Sequence, residues 1–84
     1  MIKVGIVGLG CPRCRQLDTL VREVVAEQGV PAEVEWVTDL SRIAAMGIFS
    51  LPGLLIDGKV VATGNVPRKD RLVRWILQAS EVRG

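Results

Sequence analysis

The 84-residue chain has no histidine and only two cysteines, Cys11 and Cys14. Without histidine, the side chain whose ordinary pKa best suits proton transfer near neutral pH is missing. Two thiolates alone cannot close a four-coordinate zinc site within one chain. Long apolar runs are missing too, since none reaches the roughly 18 to 20 residues that a membrane-spanning helix needs. Charge of one sign is scarce: 11 Lys and Arg against 9 Asp and Glu leave +2. That excess is too small to point to nucleic acid or an anionic membrane as a partner. The basic residues are scattered, apart from Arg68-Lys69-Asp70-Arg71, and such a cluster at a helix start reads as a solvated face. No repeat, linker or low-complexity stretch occurs, and the length leaves room for one domain, residues 1–84. Met1-Ile2-Lys3 passes at once into a strand pattern, so no leader peptide is expected. A cytoplasmic location follows, where a close cysteine pair is more often catalytic or metal-binding than structural.

What is present is a high apolar content, 49%, enough to build a core without a covalent staple. A disulfide across two intervening residues would be a poor staple anyway, because so short a loop removes little unfolded-state entropy. The chain is organised around Cys11-Pro12-Arg13-Cys14. Ile2 to Val7 is β-branched and nearly continuous in apolar character, as expected of a strand covered on both faces. Gly8-Leu9-Gly10 breaks it. A glycine pair after a strand also begins a dinucleotide-binding fingerprint, but the third glycine would fall at Arg13 and the chain is too short for that domain.

Pro12 suits the first helical position. Leu17, Leu20, Val21, Val24 and Val25 then form an apolar stripe, with Arg15, Asp18, Arg22 and Glu23 off it. Gly29 is placed to end that helix and Pro31 prevents its resumption. Ala32 to Val37 alternates, marking a strand with one polar face at a sheet edge, where Trp36 serves packing. Thr38 or Asp39 can cap a short helix running through Met46, with Leu40, Ile43 and Ala44 inward and Gly47 as terminator. Leu54-Leu55-Ile56 and Lys59 to Thr63 flank Asp57-Gly58, a strong two-residue hairpin turn. Pro67 opens a last helix whose Leu72, Val73, Ile76 and Leu77 form the apolar face, with Trp75 at its border. The fold class is therefore α/β with the order β-α-β-α-β-β-α. The first two strands are parallel with a right-handed crossover, and helices cover both faces of a four-stranded mixed sheet.

This order, with Cys-x-x-Cys after the first strand and a proline just before the hairpin, resembles the thioredoxin fold. It is more closely similar to the very small thioredoxin-like proteins called redox-active disulfide proteins. The likeness covers essentially the whole chain. It rests on Gly10-Cys11-Pro12-Arg13-Cys14, on Leu51-Pro52-Gly53 entering Leu54-Leu55-Ile56-Asp57-Gly58-Lys59, and on Gly64 before the last helix. The resemblance implies a thiol–disulfide oxidoreductase whose partners are disulfide-containing proteins and an unidentified upstream reductase. It implies a monomer, and no cofactor beyond the redox-active disulfide. It also makes Pro52 a cis-proline facing the dithiol, with Leu51 offering its backbone to an extended substrate segment. The alternative is an ordinary trans turn proline.

Within this reading Cys11, at the helix N-terminus, is the attacking thiolate, favoured by free backbone N–H groups and the helix dipole. Cys14, one turn in and more buried, resolves the mixed disulfide. Pro12 and Arg13 tune the Cys11 thiol, with Arg15 adding positive potential. Several features depart from larger thioredoxins. Leu9-Gly10 precedes Cys11 where those proteins carry Trp, and the intervening dipeptide is Pro-Arg. The second strand offers no buried carboxylate for the Cys14 proton, as Glu33 and Glu35 look outward. Gly64-Asn65-Val66 lacks the paired glycines and acidic residue of a glutathione site, which favours protein disulfides over glutathione. Vicinal thiols also bind arsenicals and organomercurials. A soft-metal site for Cu(I), or a dimeric four-sulfur site, is the alternative use of the same pair.

Overall fold

The apolar run after Lys3 becomes an inner strand because both of its faces find cover. In the computed structural model, which describes residues 1–83, the elements are β1 (Ile2–Val7), α1 (Pro12–Gln28), β2 (Ala32–Val37), α2 (Leu40–Ala45), β3 (Gly53–Ile56), β4 (Lys59–Thr63) and α3 (Lys69–Arg83). The sheet order is β2-β1-β3-β4. β1 and β2 are parallel, and the β1–β3 and β3–β4 pairs are antiparallel. The α/β architecture with a mixed four-stranded sheet is the one the element order predicts. β2, with Glu33 and Glu35 exposed, lies at an edge.

Strand alternation sorts the core into two clusters. Ile2, Val4, Ile6, Leu54 and Ile56 pack against Leu17, Val21 and Val24 of α1 and Leu72 and Ile76 of α3. On the other face Val7, Val37 and Leu55 meet Ile43 of α2 and Ile48. Burying a side chain of this size contributes about 1.5–3 kcal/mol, so the stripe of α1 suffices to hold that helix against the sheet. Across the outside, Lys69 Nζ at the start of α3 lies 2.8 Å from both Glu23 Oε1 and Glu27 Oε2 of α1. Hydrogen bonds to Glu23, then Glu27, raise the Lys69 pKa above its ordinary value.

Three local expectations need correction. Of Leu40, Ile43 and Ala44, only Ile43 faces the sheet; Leu40 is 63% exposed and Ala44 is exposed as well. A six-residue helix makes fewer than two turns, so it presents one core position, and Ile48 beyond it supplies the next. The N-cap is Asp39, whose Oδ1 accepts from Ser41 N at 2.9 Å. The last helix starts at Lys69, not Pro67, its first turn closed by Leu72 N donating to Arg68 O at 3.1 Å. Leu77 is 38% exposed, because five residues advance a helix by about 140° beyond a full turn from Leu72. The hairpin follows its sequence: Asp57 and Gly58 take φ of 51° and 81°, the left-handed pair that an Asp-Gly turn favours.

Candidate active site

The dithiol turn grows out of the end of β1. Gly8 N donates to Val37 O at 3.1 Å, extending the parallel ladder one step past Val7. Gly10 then turns the chain with φ 88°. Cys11 is the N-cap of α1 in extended geometry, and Pro12 opens the helix as expected. Arg15 N donates to Cys11 O at 3.0 Å, closing the first turn. The stripe behind it holds: Cys14, Leu17, Val21 and Val24 are buried on one side of the helix.

Cys11 and Cys14 form a disulfide with their Cα atoms 5.0 Å apart. The two sulfurs occupy different environments. Cys11 is half-buried while Cys14 is 0% exposed. Cys14 N donates to Cys11 Sγ at 3.1 Å, so a backbone donor of the first helical turn is aimed at this sulfur. The sulfur that solvent can reach is the one at the helix N-terminus. Pro12 and Arg13 are exposed, and Arg13 lines a groove of about 620 Å³ together with Gln16, Asn65, Arg68 and Arg71.

The Leu51–Pro52 peptide bond is cis. Pro52 is buried, and its carbonyl accepts from Gly64 N at 2.9 Å. Gly64 is required twice over: its φ is 82°, and a Cβ there would lie 3.2 Å from Ser50 Cβ. Gly53, next to Pro52, pairs with Val7, the last residue of β1. The cis-proline loop and the dithiol turn therefore leave the sheet side by side. Leu51 is half-buried, and its backbone N–H and C=O make no hydrogen bond among the described residues. No group of three or more metal-ligating side chains occurs among the described residues.

A profile of the family described as "Thioredoxin domain" matches residues 1–77. The chain belongs to the thioredoxin family. It is similar to a thioredoxin of Methanothermobacter thermautotrophicus, 38% identical over 86% of this chain and 94% of that protein. A thioredoxin of Methanocaldococcus jannaschii is 36% identical over 86% and 83% of the two chains. Among solved structures, a mutant thioredoxin of Halobacterium salinarum superposes with a TM-score of 0.72 at 23% identity, covering 94% of this chain and 74% of its own. A malaria-parasite thioredoxin-2, described as a component of the protein secretion machinery, gives 0.70 at 18% identity, covering 93% and 82%. These two bear on the fold alone. The activity that goes with the family, in its general form, is thiol–disulfide oxidoreduction. No helix among the described residues is long and apolar enough to cross a membrane.

Two residues of this neighbourhood carry more than their sequence pattern announces. Gly8 reads there as a strand breaker, yet a Cβ on it would come well inside 3.0 Å of the Cys14 sulfur. Asp18 reads as a residue off the apolar stripe. Its side chain is only 22% exposed, and its Oδ1 accepts from Trp36 Nε1 at 3.2 Å and from Arg22 Nε at 3.0 Å. The one sequence signal for Asp18 is its spacing, four residues beyond Cys14. Gly8 carries none beyond being a glycine near a cysteine.

Proposed function

We propose that the protein reduces disulfides of protein substrates, with Cys11 as nucleophile and Cys14 as resolving thiol. The observation that carries this reading is the asymmetry of the pair: a half-exposed N-cap sulfur held by the Cys14 amide, in front of a fully buried second sulfur. In the first step the Cys11 thiolate attacks one substrate sulfur. A Cys11–substrate bond forms, the substrate disulfide breaks, and the departing sulfur takes a proton. In the second, the Cys14 sulfur attacks Cys11 Sγ, closing the Cys11–Cys14 bond and releasing the other substrate thiol. The protein dithiol is oxidised by two electrons and the substrate disulfide is reduced by two.

Positive potential from Arg13 and the conformation set by Pro12 keep Cys11 reactive. The open backbone of Leu51, held by the buried cis-Pro52, supports pairing with an extended substrate segment, as in strand addition to a sheet edge. The protein works as a cytoplasmic monomer with no cofactor beyond its own disulfide. An upstream reductase restores the dithiol.

The test is a pair of single substitutions assayed on a model protein disulfide. Cys11→Ser abolishes reduction, while Cys14→Ser accumulates a mixed disulfide visible by mass. Equal, partial losses in both variants would contradict the assigned roles.

A further inference from the structure

Resolution needs Cys14 to give up a proton, yet Cys14 is fully buried, the chain has no histidine, and Glu33 and Glu35 are exposed. We propose that Asp18 accepts the Cys14 proton during resolution, with Trp36 as the residue that positions its carboxylate. The inference rests on the redox reading above.

Three independent features place Asp18 for this task. First, Asp18 is one helical turn beyond Cys14, and residues four apart on a helix stand about 5–6 Å apart at Cβ. Helical side chains lean toward the N-terminus, so a residue covers the turn before its own Cα. Asp18 thus leans over the turn that holds Cys14. Second, the carboxylate is oriented. Both of its donors, Trp36 Nε1 and Arg22 Nε, meet Oδ1, and Oδ2 has no donor among the described residues. One oxygen is anchored and the other is open to a proton. Third, Trp36 borders the sulfur pocket. The Cβ position on Gly8 that would crowd Cys14 Sγ lies 4.0 Å from Trp36 Cζ3. One indole therefore joins the anchored carboxylate to the wall of the Cys14 pocket.

The charged groups around Asp18 are few. On its own helix Arg22 holds Oδ1 and Arg15 lies one turn back. From β2, which packs across from it, Trp36 and Val34 share this side of the sheet, while Glu33 and Glu35 alternate onto the other. Arginine stays protonated throughout the accessible range.

The step balances. As Cys14 Sγ bonds to Cys11 Sγ, the Cys14 proton passes through a water to Asp18. The bond from Cys11 to the substrate sulfur breaks, its electron pair leaves on that sulfur, and the proton is returned to the released thiolate or to solvent.

The experiment uses the reduced protein and 5,5′-dithiobis(2-nitrobenzoate) as probe, in rapid mixing. Attack by Cys11 releases the first nitrothiobenzoate at a rate proportional to probe concentration. Resolution by Cys14 releases the second at a rate independent of it. General-base assistance contributes about 10²–10⁴-fold, so Asp18→Asn slows the second phase at pH 7 by at least about tenfold and leaves the first within twofold. Asp18→Glu recovers part of the loss. Trp36→Phe, which keeps the carboxylate and loses its anchor, slows the second phase by less than Asp18→Asn does.

The pH profile distinguishes a base from a structural residue. In the wild type the second phase is nearly flat from pH 6 to 8. In Asp18→Asn it rises about tenfold per pH unit toward the ordinary thiol pKa near 8.5. Should Asp18→Asn not fold, the wild-type profile decides alone, and a tenfold rise per unit there overturns the proposal. A second phase unchanged in folded Asp18→Asn, or equal slowing of both phases, overturns it too. Loss of both phases in the wild type would instead refute the redox reading beneath it.

Discussion

Gly8 and Cys14 stand so close that the smallest side chain on Gly8 would collide with the buried sulfur. Gly8, one step past the end of β1, is thus the floor on which the buried cysteine rests. Gly8→Ala overpacks this floor, and overpacking of a tight site costs about 1–3 kcal/mol. The expected outcome is a lower melting temperature and a slower closure of the Cys11–Cys14 bond, so that mixed disulfides persist with Cys14 intact. Gly10→Ala is the control: its φ of 88° strains any side chain, but nothing lies within 4 Å of the added carbon. It costs about 1–2 kcal/mol of backbone strain and leaves closure nearly as fast as in the wild type. Denaturation curves and rapid-mixing rates on the two variants check both statements.

The contrast between these glycines shows what local pattern can and cannot tell. The order of elements, the N-cap position of Cys11, Pro12 at the first helical position and the Asp57-Gly58 hairpin all follow from neighbours in the chain, and all are present. The buried stripe of α1 is legible for the same reason, since one long helix repeats its signal four or five times. In α2 and α3 the period is sampled too briefly or extended too far, so Leu40, Ala44 and Leu77 look inward in the pattern while facing solvent. The Gly8–Cys14 contact spans only the turn from β1 into α1 and is set by the angle at which the helix leaves the strand, whereas the Asp18–Trp36 hydrogen bond joins residues whose proximity depends on how α1 crosses from β1 to β2. No window of sequence contains both the fold and the contact. The lack of a buried carboxylate on β2 is legible in the sequence; the hydrogen bond that ties Asp18 to the indole of Trp36 is not.

Lys69 gives a pH signature of the α1–α3 seam. Its bonds to Glu23 and then Glu27 raise its pKa in the folded state above that in the unfolded chain. The stability it contributes is therefore fully present below the unfolded value of about 10.4 and is lost as pH rises through the higher folded value. Lys69→Met should melt at a slightly lower temperature than the wild type at pH 7 to 9, and the gap should close above pH 11. Because all three side chains are about half exposed, the gap should also shrink in high salt. A gap indifferent to both pH and salt would mean that the lysine stem, not its charge, joins the helices.

In the function proposed above, Cys11 and Cys14 interconvert reversibly between dithiol and disulfide as a reductant of proteins. The direct measurement is the reduction potential of the pair, by equilibration in thiol–disulfide buffers with the two states resolved by mass after quenching. The expected result is a single two-electron transition confined to this pair, at a potential near the about −270 mV of thioredoxin. A potential at or above about −180 mV would make the protein an oxidant or isomerase, and failure of the intramolecular disulfide to form at all would contradict the account outright.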